Sequence, residues 1–146
     1  MKVSYKLDYA LKTLLDLALY HQKELASIAD LSKKLCIPKK FLEQILLELK
    51  RGAFVESKRG KIGGYLLAKK PSEITIGEVA RLIDGPTEPI ECLDSAYRGC
   101  EDLNTCMFRK IWFKVNEATS AIIDNITLAD VINDYKLAKN IMDYSI

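Results

Sequence analysis

Hydrophobic residues recur every three or four positions across residues 4–20, which is the spacing of a helix with one apolar face. Ser4 precedes this run, where its hydroxyl can accept a hydrogen bond from a backbone N–H of the first turn. The apolar positions are Leu7, Leu11, Leu14, Leu15 and Ala18. The pattern therefore predicts one amphipathic helix at the start of the chain.

Two shorter apolar patterns follow, separated by about three residues. Ser27, with an acidic residue three positions later, predicts the start of a helix that ends near Cys36. Pro38 suits the first position of the next helix, and Gly52 is a residue type that commonly ends one. Two short helices joined by such a turn predict a helix-turn-helix.

The pattern after these helices changes to that of two strands. Residues 54–57 and 65–68 are rich in residues that favour strands, and they flank a turn with three glycines. The glycines are Gly60, Gly63 and Gly64. These features predict a β-hairpin, and a helix-turn-helix followed by a hairpin is a winged helix.

A long apolar pattern characterises the C-terminal part of the chain. From about Thr105 to Asn125 the apolar residues recur at steps of three and four, and a capping sequence at Thr127 opens one more helix through about Leu137. A helix of about 20 residues spans about 30 Å, which is longer than a small winged module can cover. The long helix is therefore expected to pack against a second copy of the chain.

The predicted fold is mainly α with a small β-hairpin wing: a winged helix-turn-helix plus a long dimerisation helix. Thr75 opens the last helix of the winged module, which Gly85 ends. Three segments are expected: a DNA-binding domain at 1–85, an acidic, cysteine-bearing loop at 86–106, and the dimerisation and C-terminal helices at 107–146.

Composition narrows the class of protein. A chain of 146 residues with 49% apolar residues can form a core without disulfides or metal, as one or two small modules. No apolar run approaches the length of about 20 residues needed to cross a bilayer, and no secretory signal precedes the first helix, so a cytoplasmic protein without membrane contact is expected. With a single histidine, His21, at a helix end, catalysis is not expected.

The charge is unevenly distributed along the chain. Of the 22 basic and 20 acidic residues, eleven basic and three acidic ones fall in residues 33–70, which carry +8, while the remainder carries −6. The basic excess covers the third helix and the wing, which indicates that this surface faces a polyanion. Four further lysines are interpreted as solvated surface charges: Lys33, Lys34, Lys69 and Lys70.

The third helix and the wing supply the candidate DNA contacts. Lys39 and Lys40 lie in the first turn of the helix, the end that meets the major groove, and Glu43 lies one turn further in. A lysine can contact guanine or phosphate, whereas a carboxylate can accept from cytosine N4. The wing carries Lys58, Arg59 and Lys61, which can approach the phosphate backbone or a narrow minor groove. A winged module used for protein contacts is the alternative, and a steep salt dependence of DNA binding distinguishes the two.

Three cysteines form the second candidate site. Cys92, Cys100 and Cys106 are separated by seven and five residues within the irregular loop, a spacing that suits a shared metal centre. Thiolates are ligands of iron-sulfur clusters and of zinc. Three unligated thiols are the alternative, and disulfides are disfavoured in a reducing compartment. Cys36 lies between two helices and is interpreted as a core residue.

Several segments of the sequence carry a family resemblance. They are Asp8-Tyr9-Ala10-Leu11, Ile37-Pro38-Lys39-Lys40-Phe41-Leu42-Glu43-Gln44, Ser57-Lys58-Arg59-Gly60 and Gly63-Gly64-Tyr65. Together they resemble the Rrf-type bacterial regulators, which include the IscR, NsrR and CymR groups. The resemblance implies a homodimeric winged-helix repressor of a pseudo-palindromic operator on double-stranded DNA.

The same resemblance implies an iron-sulfur cluster, [2Fe-2S] or [4Fe-4S], on Cys92, Cys100 and Cys106. The first cysteine spacing is two residues longer than in IscR-like members, and Arg109 stands where they carry a ligand histidine. Asp8 matches the aspartate that some NsrR-like members supply from the partner subunit as the fourth ligand. The regulator is then a sensor of iron-sulfur status, nitric oxide or redox state. A cluster-free, zinc or thiol-switch regulator, for example of cysteine metabolism, is the alternative.

Overall fold

The computed structural model describes residues 1–145 as six helices and one β-hairpin, with two short 3-10 helices. The helices are α1 (Tyr5–Tyr20), α2 (Ile28–Leu35), α3 (Lys39–Arg51), α4 (Ile76–Asp84), α5 (Met107–Ile123) and α6 (Leu128–Tyr144). The strands are β1 (Val55–Lys58) and β2 (Gly64–Leu67), and the 3-10 helices are Pro71–Glu73 and Glu91–Leu93. This architecture confirms the mainly helical fold with a hairpin wing.

The helices begin where their capping residues predict. Ser4 and Ser27 each accept a hydrogen bond from a backbone N–H of the first turn of α1 and α2. Thr75 opens α4 and forms a complete capping box with Glu78, and Thr127 opens α6 and forms one with Asp130. A capping side chain supplies an acceptor to N–H groups that otherwise have none, so these starts depend on local sequence alone.

One hydrophobic core unites α1 to α4 with the hairpin and the start of α6. Its fully buried side chains include Leu7, Leu14 and Leu17 of α1, Leu31 of α2, Leu42, Ile45, Leu46 and Leu49 of α3, Val79 of α4 and Leu128 of α6. The buried positions of α3 leave its opposite face, and with it the N-terminal turn, open to solvent. The core therefore fixes α3 as the exposed helix of a helix-turn-helix.

The hairpin is held against the start of α2. β1 and β2 pair antiparallel with Val55 opposite Leu67 and Lys58 opposite Gly64. Ala26 adds a bridge to Tyr65, with N–H···O distances of 2.9 Å in both directions. A Cβ at Gly64 would lie 2.5 Å from the Ala26 carbonyl oxygen, so this close approach of two backbones requires glycine.

α3 ends at Gly52 as the sequence predicts, but glycine is required there for a different reason. Gly52 has an ordinary φ of −78°, and the left-handed conformation falls on Ala53, with φ of 58°. Phe54 then donates its N–H to the Leu49 carbonyl at 2.9 Å and its side chain is buried. A Cβ at Gly52 would lie 2.5 Å from the Leu82 Cδ2 atom, so packing against α4, rather than the turn, calls for glycine there.

The C-terminal helix is longer than predicted. α6 continues past Leu137 to Tyr144, because residues 138–144 contain no glycine or proline to end it. Its first turn is joined to α4 by a bridge between Thr75 and Thr127. Only Leu128 and Ile132 of α6 are buried.

One ion pair joins the end of the long helix α5 to the winged module. Arg81 of α4 donates two hydrogen bonds to the Asp124 carboxylate at the end of α5, at 2.6 and 3.0 Å. A Cβ at Gly77 would lie 1.9 Å from the Asp124 Oδ1 atom, so α4 carries glycine beneath this pair. No residue of α5 itself is buried, although the helix is rich in apolar side chains. No helix in residues 1–145 has the length and apolar character of a membrane span.

Candidate DNA-binding surface and cysteine loop

The exposed face of α3 and the wing form the two walls of one groove. Lys39, Glu43, Lys58 and Arg59 line it together, with the N-terminal turn of α2 at its base. The structure thus brings together four of the six residues predicted to contact DNA. Lys40 and Lys61 are exposed beside the groove and do not line it.

One hydrogen bond crosses between the walls of this groove. The Lys50 Nζ atom of α3 lies 2.5 Å from the Ser57 Oγ atom of β1, to which it donates. The contact links the wing to α3 and places the Lys50 side chain between the two walls of the groove. Lys50 was not among the predicted DNA contacts, because the sequence around it does not show that its side chain faces the wing.

Glycines set the conformation of the wing tip. Gly60 has φ of 138°, which L side chains rarely adopt, and no other atom lies within 4 Å of a Cβ built there. A Cβ at Gly63 would lie 2.8 Å from the Lys58 carbonyl oxygen, so the turn folds tightly back on the end of β1. Lys58, Arg59 and Lys61 are exposed on this tip.

Lys34 is not the free surface charge that the sequence predicts. Its Nζ atom lies 2.6 Å from the Oδ1 atom of Asp16 and 3.5 Å from the centre of the Tyr20 ring. Asp16 is only 5% exposed, and the His21 Nε2 atom lies 3.6 Å from its second oxygen. A buried carboxylate needs a partner, so Lys34 neutralises Asp16 and fixes α2 against α1. An acid within the apolar pattern of the first helix was the available signal.

The cysteine loop is anchored at both ends and irregular between them. Cys92 lies in the 3-10 helix Glu91–Leu93, Cys100 is exposed, and Cys106 is the N-cap residue of α5. Arg109 donates from Nε to the Cys92 carbonyl oxygen at 3.0 Å, which ties the first cysteine to the helix that begins after the third. All four cysteines of the chain are free thiols.

The donor chemistry of this loop fits a thiolate-bound metal group. The loop carries the sulfur atoms of Cys92, Cys100 and Cys106. Three such sulfur donors suit iron-sulfur clusters or zinc. Within residues 1–145, however, no three histidine, cysteine or acidic side chains converge on one point as metal ligands would.

Asp8 is paired with a lysine of its own helix. The Asp8 Oδ2 atom accepts from the Nζ atom of Lys12, one turn along α1, at 2.6 Å. That hydrogen bond and the charge of Asp8 raise the pKa of Lys12.

Cys36 is exposed, so its interpretation as a core residue is wrong. It ends α2 in the left-handed conformation, with φ of 55°, and the following residue, Ile37, enters the core instead.

Comparison with known proteins relates this fold to one family. Residues 3–134 match the family described as "Rrf2: Iron-dependent Transcriptional regulator". The chain is 39% identical over 137 residues to an rrf2-like HTH-type transcriptional regulator of Rhodobacter capsulatus, covering 89% of this chain and 91% of that protein.

One further relative and one solved structure are also similar to this chain. The HTH-type transcriptional regulator IscR of Serratia proteamaculans is 34% identical over 134 residues, covering 92% of this chain and 80% of that protein. The solved structure of CymR, the global cysteine regulator of B. subtilis, superimposes with a TM-score of 0.75 at 28% identity, covering 91% of this chain and 97% of that one.

Proposed function

Because the chain belongs to the Rrf2 family of transcriptional regulators, we propose that it is a homodimeric repressor which binds a pseudo-palindromic operator and senses iron-sulfur status, nitric oxide or redox state. Residues 1–85 bind DNA, residues 86–106 form the sensor loop, and residues 107–146 dimerise. Its relatives regulate transcription, and it is not an enzyme.

The observation that supports DNA binding above all is the cationic groove between α3 and the wing. In this geometry the N-terminal turn of α3, with Lys39 and Lys40, enters the major groove, as recognition helices do. The wing then follows the adjacent phosphates with Lys58, Arg59 and Lys61. Because members of this family are transcriptional regulators, DNA is the polyanion that accounts for the basic excess of residues 33–70.

Replacement of Arg59 by alanine tests this surface. Arg59 is exposed, lines the groove and follows the last residue of β1, so its loss removes a DNA contact without disturbing the core. Binding should weaken for all sequences, and the slope of log affinity against log salt should fall by about one. Lys139→Ala, on the exposed end of α6, is the control. Equal affinity of Arg59→Ala and wild type at two salt concentrations would remove Arg59 from the interface.

The sensor part of the proposal is supported by the three free thiols in one loop anchored to α5. Cys92, Cys100 and Cys106 would hold an iron-sulfur cluster, and Asp8 of the partner subunit would be the fourth ligand. A bound cluster supplies a group whose presence depends on iron, oxygen and nitric oxide. Since the loop joins the winged module to α5, its ordering by a ligand can bias how the two modules are arranged.

Anaerobic purification with iron and sulfide analysis tests the ligand set. Alanine variants of Cys92, Cys100 and Cys106 should each lose the cluster, whereas Cys36→Ala, which removes an exposed thiol outside the loop, should keep it. Asp8→Ala should form a cluster that decays faster in air, because an oxygen ligand completes the set. Full cluster content in any loop variant removes that cysteine from the ligands, and wild-type durability of Asp8→Ala removes the carboxylate.

A cluster-free, zinc or thiol-switch regulator, for example of cysteine metabolism, is the second candidate. It is favoured by the pairing of Asp8 with Lys12 and by the likeness to the cysteine regulator CymR. Protein purified without oxygen then shows no visible absorption, and either carries zinc or changes its DNA affinity when the thiols are oxidised. Metal analysis and absorbance of one preparation separate the two candidates.

A further inference from the structure

The wing tip exposes an isoleucine among its cationic residues. Ile62 is 86% exposed, more than any other large apolar side chain of residues 1–85. Its neighbours on the tip, Lys58, Arg59 and Lys61, are all exposed. Isolated apolar residues are common on protein surfaces, so the exposure alone carries no inference.

The conformation of the turn does not account for Ile62. Gly60 supplies the positive φ and Gly63 the close approach to the Lys58 carbonyl, so the requirements of the turn are met by glycine. Turns otherwise favour proline and small polar residues, whereas a β-branched side chain is stiff and favours strands. A residue type that suits neither the turn nor solvent is better explained by a partner surface.

The charges around Ile62 define what that surface is. A negatively charged surface attracts Lys58, Arg59 and Lys61, but the apolar side chain beside them is stabilised only by contact with a nonpolar surface. The minor groove of DNA offers both, because its walls are deoxyribose and its potential is strongly negative where it is narrow. Proteins that bind the minor groove combine arginine and lysine with apolar side chains such as isoleucine.

We propose that Ile62 is a specificity-determining residue that contacts the minor groove beneath the wing and favours A·T pairs there. The 2-amino group of guanine is a polar projection in the minor groove of a G·C pair, and A·T pairs lack it. At an A·T pair, Ile62 packs against the minor groove. At a G·C pair, the 2-amino group of guanine lies next to the apolar side chain, which disfavours binding. This role rests on the proposed function, since it needs a wing that docks on DNA.

Salt dependence separates an apolar contact from an ionic one. The probe is the tightest-binding duplex recovered from a randomised pool with the wild-type protein. Ile62→Ala should bind this duplex about five- to tenfold more weakly with an unchanged salt slope, since no counterion is released by an apolar contact. Lys61→Ala should instead lower the slope by about one. Ile62→Leu should recover most of the affinity, and Ile141→Ala, an exposed isoleucine of α6, is the control.

Inosine identifies the groove and the base preference. An I·C pair has the minor-groove face of A·T and nearly the major-groove face of G·C, because inosine lacks the 2-amino group. At the base pairs under the wing, wild type should bind A·T and I·C duplexes alike and the G·C duplex more weakly. Ile62→Ala should bind all three equally.

Each result has one meaning. If the wild-type protein binds no duplex, or binds without a dependence on salt, the proposed function itself is overturned. Wild type that binds while Ile62→Ala keeps full affinity, or a base preference that persists in Ile62→Ala, overturns the role of Ile62 and leaves DNA binding intact. A weaker Ile62→Ala complex with a reduced salt slope also overturns it, since the loss would then be ionic.

Discussion

At the scale of single residues, Glu43 is the acidic side chain in a groove whose charged lining is otherwise cationic. A carboxylate near DNA is repelled by phosphates, so it is tolerated where it selects a base, most directly by accepting from cytosine N4. Glu43→Ala should relax discrimination at one base pair by about 1–3 kcal/mol while leaving non-specific binding equal or stronger. Competition between single-substitution duplexes measures this.

The control for Glu43 is Glu24→Ala, which removes an exposed acid from the turn after α1. It should leave discrimination at every base pair unchanged. An equal loss of affinity by Glu43→Ala on all duplexes would show that the carboxylate supports the fold of α3 instead of reading a base.

Three features of the structure that the sequence did not predict depend on packing. Cys36 and Ala53 both take left-handed conformations, because the chain must turn there to bury Ile37 and Phe54. Cysteine and alanine are not residue types that indicate this conformation. Lys34 was interpreted as solvated because nothing near it in sequence shows Asp16 across the α1–α2 interface. The environment of Lys34 depends on a residue distant in the chain, whereas the glycine-rich turn that exposes Arg59 is visible in the local sequence.

At the scale of elements, the Arg81–Asp124 pair is the principal polar link between α4 and α5. The Arg81 hydrogen bond and charge lower the pKa of Asp124, so the ionised carboxylate is favoured in the folded protein. That stabilisation is present above the pKa of the unfolded chain and is lost as the pH falls below about 4. Because Asp124 is 40% exposed and lies at the end of α5, the expected effect is small.

Asp124→Asn should therefore lower the free energy of unfolding by less than about 1 kcal/mol at pH 7. The difference from wild type should shrink toward zero as the pH is lowered through 4. Urea unfolding at several pH values measures it, with Asp134→Asn on α6 as the control. A difference that stays constant as the pH falls below 4 would mean that the side chain acts through its shape.

Elements whose ends are set locally were predicted well, and those set by packing were not. The capping residues Ser4, Ser27, Thr75 and Thr127 all begin helices in the structure. The wing was recognised from its glycines, with each strand displaced by one residue. The extension of α6 to Tyr144 was missed, because its apolar residues there are exposed and form no clear core stripe.

At the scale of the whole molecule, one chain does not bury its own apolar surface. α5 exposes Met107, Phe108, Ile111, Trp112, Phe113, Val115 and Ile122. A contiguous apolar face of this kind marks an interaction surface. The sequence predicts such a face from its periodicity, but it contains no direct record of what covers that face. The ligand set of the cysteine loop is equally hidden if one ligand comes from another chain.

Val115 lies near the middle of α5 and is 41% exposed in the single chain. If two copies of α5 pack together in an isologous interface, Val115→Glu introduces two buried carboxylates near a twofold axis, where each is desolvated and repels the other. Sedimentation should then give a dimer for wild type and a monomer for Val115→Glu at the same micromolar concentration. Ile62→Glu adds the same charge to an exposed isoleucine on the wing and should remain dimeric. A monomeric wild type would contradict dimerisation through α5. A dimeric Val115→Glu would contradict it too, since no desolvated carboxylate pair could then lie between the helices.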